Sequence, residues 1–156
     1  MPRRRSRQNW RRLLALNNAH AAQLSYKTAE TFRTLIDTAS LARAEANGLA
    51  LLVAFDEGCA YDNANFRWLK RRFERFLYID RLVVDASARG RGIARALYDE
   101  AAAVACDQKR QRLVCEINLD PPNPGSDAFH VKFGFAPIGQ QRLADGKLVR
   151  YWEMPV

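Results

Sequence analysis

The stretch from Leu82 to Ala94 constrains the fold of this chain most, because an apolar strand gives way there to a basic turn that opens a helix. The apolar run over 76–84 predicts a buried strand. Within the turn, Gly90 and Gly92 let the backbone approach a ligand with no Cβ in between. After the turn, apolar residues recur at the spacing of one helical face, at Ile93, Leu97, Ala101, Val104 and Ala105. This order of strand, glycine turn and helix predicts an anion site.

The free amide groups at a helix start carry about half a positive charge, so phosphate is the natural ligand of such a turn. The spacing excludes two common phosphate motifs. A dinucleotide fingerprint needs a small residue three positions after Gly92, where the chain has Arg95, and a P-loop needs Gly-Lys-Ser/Thr. The pattern present is Arg-x-x-Gly-x-Ala, formed by Arg89, Gly92 and Ala94. A basic turn without a ligand is the alternative interpretation.

This pattern resembles the coenzyme A pyrophosphate loop of the GNAT N-acetyltransferase superfamily. A second family pattern, Asn-x-x-Ala-x-x-Leu-Tyr-x-x-x-Gly-Phe, is matched in spacing by Asn123, Ser126, Phe129, His130, Gly134 and Phe135. Serine replaces the usual alanine, and His130 replaces the usual tyrosine. The run that begins Cys115-Glu-Ile-Asn, with the Phe-His pair, also resembles one sub-group of predicted acetyltransferases whose substrate the family does not specify. The resemblance spans Leu49 to the C-terminus.

The resemblance implies an α/β (α+β) fold with a mixed central sheet of about six to seven strands and helices on both faces. It also implies acetyl-CoA as co-substrate and no metal, with the pantetheine arm in a gap between the strand before the turn and the strand after the helix. The residues expected to bind coenzyme A are Leu82, Val83, Val84, Arg89, Gly90, Arg91, Gly92, Ile93, Ala94, Arg95, Asn123 and Ser126. Asn123 either orders the proline loop or contacts the pantetheine.

The implied reaction is direct transfer of an acetyl group to a primary amine in a ternary complex. A lysine-like amine, with a pKa of about 10.4, is mostly protonated at neutral pH and needs a base. Asp80 and Glu116 are acids on interior strands, and Tyr78 stands where some relatives place a catalytic glutamate. Each acid could instead be a structural partner. We expect His130, at the tyrosine position, to protonate the departing thiolate.

The connection 56–74 carries aromatic, amide and cationic side chains with little periodic order. A long connection in a small domain is often a binding loop, so we expect Asp62, Asn65 and Trp68, together with Asn118 on a later strand, to contact the acceptor. A solvated basic face is the alternative. Phe66, Leu69, Phe73 and Phe76 are spaced for one short helix.

Charge separates the chain into two parts. The net charge is +8, yet residues 1–29 contain arginines and a lysine but no acidic residue. We therefore predict a basic, disordered arm over 1–11 and a single domain over 12–156. The three cysteines lack Cys-x-x-Cys spacing, which favours a reduced, cytoplasmic protein over a disulfide or zinc framework. No run of about 20 apolar residues predicts a membrane span.

Two classes of function remain open at this point. The first is the N-acetyltransferase, acting on a small molecule or a protein amine, alone or as a homodimer, with nucleic acid not expected as a partner. The second is a catalytically silent module that binds coenzyme A, or that associates with nucleic acid through the basic arm.

The remaining elements follow from local signals. We predict an edge strand over Arg12–Leu16, a helix capped by Thr28, and a hairpin of Ser40–Glu45 with Leu49–Phe55 across Asn47-Gly48. A strand over Leu113–Leu119 and a helix from an N-cap at Ser126 to a C-cap at Gly134 come next. Ala136–Leu143 and Leu148–Met154 form a closing hairpin.

Overall fold

The structure is a computed structural model, and it describes residues 7–156. Its helices and strands follow in the order α1 (Arg7–Ala19), α2 (Ala21–Leu24), α3 (Ala29–Thr38), β1 (Leu41–Ala44), β2 (Ala50–Asp56), α4 (Ala64–Lys70), β3 (Leu77–Val84), α5 (Ile93–Asp107), β4 (Arg112–Asp120), α6 (Pro124–Phe133), β5 (Ala136–Arg142) and β6 (Leu148–Pro155). Among the residues described, no helix combines the length and the apolar character that a membrane crossing requires.

The strands form one six-stranded sheet in the order β1-β2-β3-β4-β6-β5. Only the central β3–β4 pair is parallel, and helix α5 makes the crossover between these two strands. The sheet is therefore mixed, with a strand number in the predicted range. The two predicted hairpins, β1–β2 and β5–β6, and the helix capped by Thr28 are confirmed.

Helices cover both faces of the sheet, as predicted. On the face that we call the α1 face, Leu13 of α1, Phe32 of α3 and Phe66 of α4 share a core with Tyr78 of β3. On the opposite face, the α5 face, helices α5 and α6 pack against the sheet in a second core that includes Leu97. Because both faces are covered, the interior strands are apolar on both sides, and a polar side chain there needs a specific partner.

The N-terminal prediction is wrong in two respects. Arg12–Leu16 is not an edge strand but part of helix α1, and residues 7–11 of the predicted disordered arm are helical as well. Residues 1–6 of that arm lie outside the described residues. Trp10, Leu13 and Leu16 recur at helical spacing, and Leu13 and Leu16 are buried in the α1-face core. The helix therefore forms because its apolar side packs on the sheet.

A β-bulge at Asp80 changes which side chains of β3 share a face. Val53 of β2 pairs with Arg81, whereas the next residue, Ala54, pairs with Ile79, so Asp80 is the extra residue. Strict alternation predicts Leu82 and Val84 on the same face as Tyr78. Instead Val83 joins Tyr78 in the α1-face core, and Leu82 and Val84 pack on the α5 face.

Two helix boundaries also differ from prediction. Helix α6 begins earlier than expected, because the Asn123 side chain accepts from the Ser126 amide (3.3 Å) and Pro124 occupies the first helical turn. Helix α4 ends at Lys70 rather than continuing to Phe76. The Phe76 amide donates instead to the Glu57 carboxylate (3.2 Å), at the start of β3.

Candidate active site

A cleft opens in the middle of the sheet where β3 and β4 separate. The two strands pair only at Leu77–Leu113 and Tyr78–Val114, just before the bulge, although both continue for several residues. The resulting cleft has a volume of about 540 Å³. Its strand walls consist of Ile79, Asp80, Arg81, Leu82, Val83, Val84, Cys115, Glu116, Ile117 and Asn118. The gap that the resemblance implied is therefore present in this chain.

Helices complete the cleft from both faces of the sheet. The α1–α2 segment contributes His20 and Leu24, whereas Tyr98 of α5 and the α6 residues Phe129 and His130 line it from the other side. The cleft thus connects the two faces of the sheet, and two ligands entering from opposite faces would meet between β3 and β4.

The glycine turn lies at one end of this cleft. Gly90 and Gly92 have φ values of 78° and 75°, and a Cβ at either position would meet nothing within 4 Å. Gly92 is the N-cap of the 15-residue helix α5, so free amides of its first turn face an open space. Arg89 and Ala94 line the cleft. Backbone conformation and free space both suit a pyrophosphate.

Three other side chains near this turn are expected to bind coenzyme A, and each contacts another part of the protein. The Arg91 guanidinium donates to the Ser87 carbonyl (3.1 Å), and that of Arg95 lies over the Phe133 ring at 5.6 Å from its centroid. Ile93 packs against the α5-face core. Ile93 is therefore engaged within the protein, whereas Arg91 and Arg95 are exposed, and their contact with an anion stays a prediction, as does that of Arg89 and the backbone amides.

Glu116 is the buried acid at the α1-face end of the cleft. Its Oε2 atom and the Tyr78 hydroxyl are buried and face each other, but neither makes a hydrogen bond of normal geometry with any described residue. Burial, and secondarily the charge of Asp80, raise the pKa of Glu116 well above its usual range. Burial likewise raises the pKa of Tyr78. Buried polar groups without a well-formed hydrogen bond are costly, so this end of the cleft suits a polar ligand.

The raised pKa of Glu116 predicts a pH-dependent stability effect. Above pH 4.5, the usual pKa of a glutamate carboxyl, the unfolded carboxyl ionises while the folded one stays protonated, so the wild type loses stability as pH rises towards the folded pKa. Glu116→Gln removes this loss. We expect the variant to gain stability relative to wild type between pH 4 and pH 8 in urea unfolding. A constant difference for Glu116→Gln would contradict the shift.

Asp80 is held in a buried polar network rather than left free in the cleft. Arg81 Nε lies 2.7 Å from its Oδ2, and the Tyr61 hydroxyl donates to its Oδ1 at 2.7 Å. Asn63 also reaches Oδ1 at 3.5 Å, and Arg81 donates in turn to the buried Asn17 of α1 at 2.8 Å. Both carboxylate oxygens are occupied, which favours a structural role for Asp80.

His130 does not present a free nitrogen to the cleft. Its Nδ1 lies 2.7 Å from the Ser126 carbonyl, and because a carbonyl only accepts, Nδ1 carries the proton. Its Nε2 therefore accepts from the Tyr98 hydroxyl, also at 2.7 Å. Burial lowers the pKa of His130 below that of a free histidine. The expected role as direct proton donor stays a prediction, because Tyr98, which also lines the cleft, occupies the second ring nitrogen of His130.

The predicted acceptor contacts are only partly brought together. Of the residues expected to contact the acceptor, Asn118 lines the cleft. Asn123 and Ser126, which are expected to bind coenzyme A, line it as well. Asp62 instead pairs with Arg67 on the surface at 2.7 Å, beside a separate shallow depression. Asn65 and Trp68 lie outside the cleft lining, both in contact with Tyr151: Asn65 accepts from its hydroxyl (2.8 Å), and the Trp68 ring stacks on its ring (3.9 Å).

Tyr98 and His20 line the cleft, although no sequence pattern predicts either of them there. The helical face that the sequence predicts for α5 runs through Leu97, whereas Tyr98, Ala101 and Ala105 also have helical spacing and all are buried. His20 had no local signal. It reaches the mouth of the cleft, where its Nε2 lies 3.4 Å from the Arg89 guanidinium, only because α1 packs on the sheet. Within the described chain, no cluster of His, Cys, Asp and Glu suits a metal ion.

Comparison with known proteins agrees with this geometry. The family model of the Acetyltransferase (GNAT) family matches residues 14–135. The chain belongs to the GNAT family. It is therefore an acetyl-CoA-dependent N-acyltransferase. No curated protein sequence is significantly similar to it.

Solved acetyltransferase structures share all or most of the fold at low sequence identity. A NatC complex bound to Gag peptide and CoA has a TM-score of 0.70 at 14% identity, covering 97% of this chain and 92% of that chain. A ribosomal-protein-alanine N-acetyltransferase from Brucella melitensis has a TM-score of 0.68 at 18% identity, and the match covers 97% of each chain. A nourseothricin acetyltransferase has a TM-score of 0.54 at 21% identity, and the match covers 73% of this chain and 62% of that chain. At such identities the likeness shows the fold alone.

Proposed function

We propose that this GNAT protein transfers the acetyl group of acetyl-CoA directly to a primary amine within a ternary complex. The observation that carries the proposal is the cleft through the sheet. It has a glycine turn suited to an anion at one end and, at the other, a buried acid that faces the Tyr78 hydroxyl. Such a passage lets the acyl donor and the acceptor meet without either leaving the protein.

The donor end holds coenzyme A through backbone groups and Arg89. The amides at the start of α5 contact the pyrophosphate, and Arg89 adds a cation beside them. Beyond Tyr78 the edge of β3 makes no ladder pair with β4, so main-chain groups of residues 82–84 are available to polarise the thioester carbonyl. Asn118, Asn123 and Ser126 line the path between these points.

The acceptor end supplies the base. Glu116 is protonated in the free protein, but a bound ammonium favours its ionised form, and a carboxylate whose pKa is raised by burial then takes the first proton from that ammonium. The neighbouring Tyr78 hydroxyl orients the amine. Asp80 keeps the bulge and Arg81 in place rather than exchanging protons.

Direct transfer is favoured over a covalent acyl-enzyme by the state of the cysteine in the cleft. Cys115 is buried, and burial raises the pKa of its thiol. A thiol that stays protonated is a poor nucleophile. Intact mass measurement after incubation with acetyl-CoA alone should therefore show no acetylated protein.

The test is release of coenzyme A thiol from acetyl-CoA in the presence of a panel of primary amines. The panel covers free amino acids, polyamines, aminoglycosides and peptides with free N-termini or lysines. We expect at least one class to give saturable, sequential kinetics. Thermal stabilisation by acetyl-CoA without thiol release from any amine would contradict the proposal and indicate a silent binding module.

A further inference from the structure

Three groups on the α5 face form a continuous chain of hydrogen bonds. The Tyr98 hydroxyl donates to His130 Nε2, and His130 Nδ1 donates to the carbonyl of Ser126, each at 2.7 Å. The carbonyl fixes the imidazole tautomer, so Nε2 has its lone pair directed at Tyr98. In this state the single hydroxyl proton of Tyr98 is donated to His130, and the Tyr98 oxygen can still accept a hydrogen bond from another group.

The surroundings hold this pair in place. Tyr98 is 2% exposed, and the rings of Phe129 and Phe133 pack edge-on against it at centroid distances of 5.3 Å. Tyr98 and His130 nonetheless both line the cleft. The aromatic rings fix the position of the Tyr98 phenol, and its place in the cleft lining allows it to contact the reacting atoms.

We propose that Tyr98 and His130 act as a two-way proton shuttle, in which the Tyr98 hydroxyl is the catalytic residue and His130 is a positioning residue that stores the proton. The inference rests on the proposed acetyl transfer and deepens it. It differs from direct protonation of the thiolate by His130, because neither ring nitrogen of His130 is free.

The steps balance without a further reactant. The amine nitrogen bonds to the thioester carbon, and the tetrahedral adduct passes an N–H proton to the Tyr98 oxygen while the Tyr98 proton moves to His130 Nε2. When the carbon–sulfur bond breaks, its electron pair goes to sulfur. His130 then returns its proton to Tyr98, and Tyr98 passes one to sulfur. Nitrogen and sulfur are bonded to the same carbon in the adduct, so one hydroxyl can serve both.

The surroundings of Tyr98 and His130 favour the uncharged form of both side chains. Burial raises the pKa of Tyr98 and lowers that of His130, which keeps the proton on the phenol and the imidazole neutral. The titratable groups that act on the pair are Asp127 of α6, which opposes the His130 shift, and Cys115 and Glu116 of β4, which act on Tyr98.

The test compares Tyr98→Phe and His130→Gln with wild type. Phenylalanine keeps the packing but removes the hydroxyl, and glutamine can accept from Tyr98 but cannot store a proton. The exposed Tyr26→Phe is the matched control for loss of a phenol. The nucleophile is hydroxylamine, which is uncharged at neutral pH and so does not depend on Glu116. Because hydroxylamine is itself protonated at acid pH, rates are expressed per unprotonated hydroxylamine and corrected for its reaction without protein. Single-turnover release of thiol is measured from pH 5 to pH 9, with acetyl-CoA affinity by calorimetry and folding by thermal denaturation.

We expect both variants to lose about a hundredfold in rate while their acetyl-CoA affinity stays within threefold of wild type. The wild-type rate should fall at acid pH, because protonated His130 cannot accept a proton. The residual rate of His130→Gln should not show this fall. If Tyr98→Phe does not fold, His130→Gln and its pH profile decide. Wild-type activity with unchanged rates in the folded variants overturns the shuttle alone. No thiol release by wild type with hydroxylamine or with any amine of the panel overturns the proposed transfer itself.

Discussion

Gly92→Asp is expected to weaken acetyl-CoA binding by more than tenfold, or about 1.4 kcal/mol. Gly92 lies at the N-cap of α5 with a left-handed φ of 75°. An aspartate there would place a negative charge where the amides are expected to meet the pyrophosphate, and would compete for those amides as a capping group. Calorimetric titration with acetyl-CoA measures the effect.

Two control variants separate charge from backbone strain. Gly92→Asn has nearly the same shape without the charge and tolerates a left-handed φ, so it should bind several-fold more tightly than the aspartate. Gly146→Asp introduces the same side chain at another left-handed glycine, φ 91°, in the β5–β6 turn. It should lower stability but leave affinity unchanged. Equal affinities for wild type and a folded Gly92→Asp would place the anion site elsewhere.

Asp80→Asn is expected to lower the free energy of unfolding by about 3 kcal/mol. The side chains of Asp80 and Arg81 are 3% and 5% exposed, so removing the carboxylate leaves a buried guanidinium without its counter-charge. Arg81→Met should cost a similar amount by leaving the carboxylate unpaired. Urea unfolding of both single variants and of the double variant provides the measurement. The double variant should lose less unfolding free energy than the sum of the two single losses.

The surface pair Asp62–Arg67 is the control for this effect. Its side chains are 69% and 53% exposed, and Asp62→Asn should change stability by less than about 1 kcal/mol. A loss for Asp80→Asn no larger than that of the control would mean that the Arg81 charge is satisfied without Asp80, for example through Asn17 alone.

Local signals in the sequence predicted much of the fold. The cap at Thr28, the hairpin across Asn47-Gly48, the closing hairpin and the start of α5 at Gly92 are confirmed, because each depends on residues within a few positions of one another. The family patterns around Gly92 and Gly134 predicted the gap between β3 and β4. Period-two alternation failed at Asp80, since a bulge depends on the partner strand as much as on its own residues.

The sequence by itself determined the glycine turn, the order of the central elements and the family. Only the tertiary structure decided what each candidate side chain contacts. Packing of α1 on the sheet brought His20 to Arg89 and Asn17 to Arg81, pairs that are 69 and 64 residues apart in the chain. Packing of α6 on α5 placed Tyr98 against His130. Such contacts depend on how whole elements dock, and no local spacing encodes them.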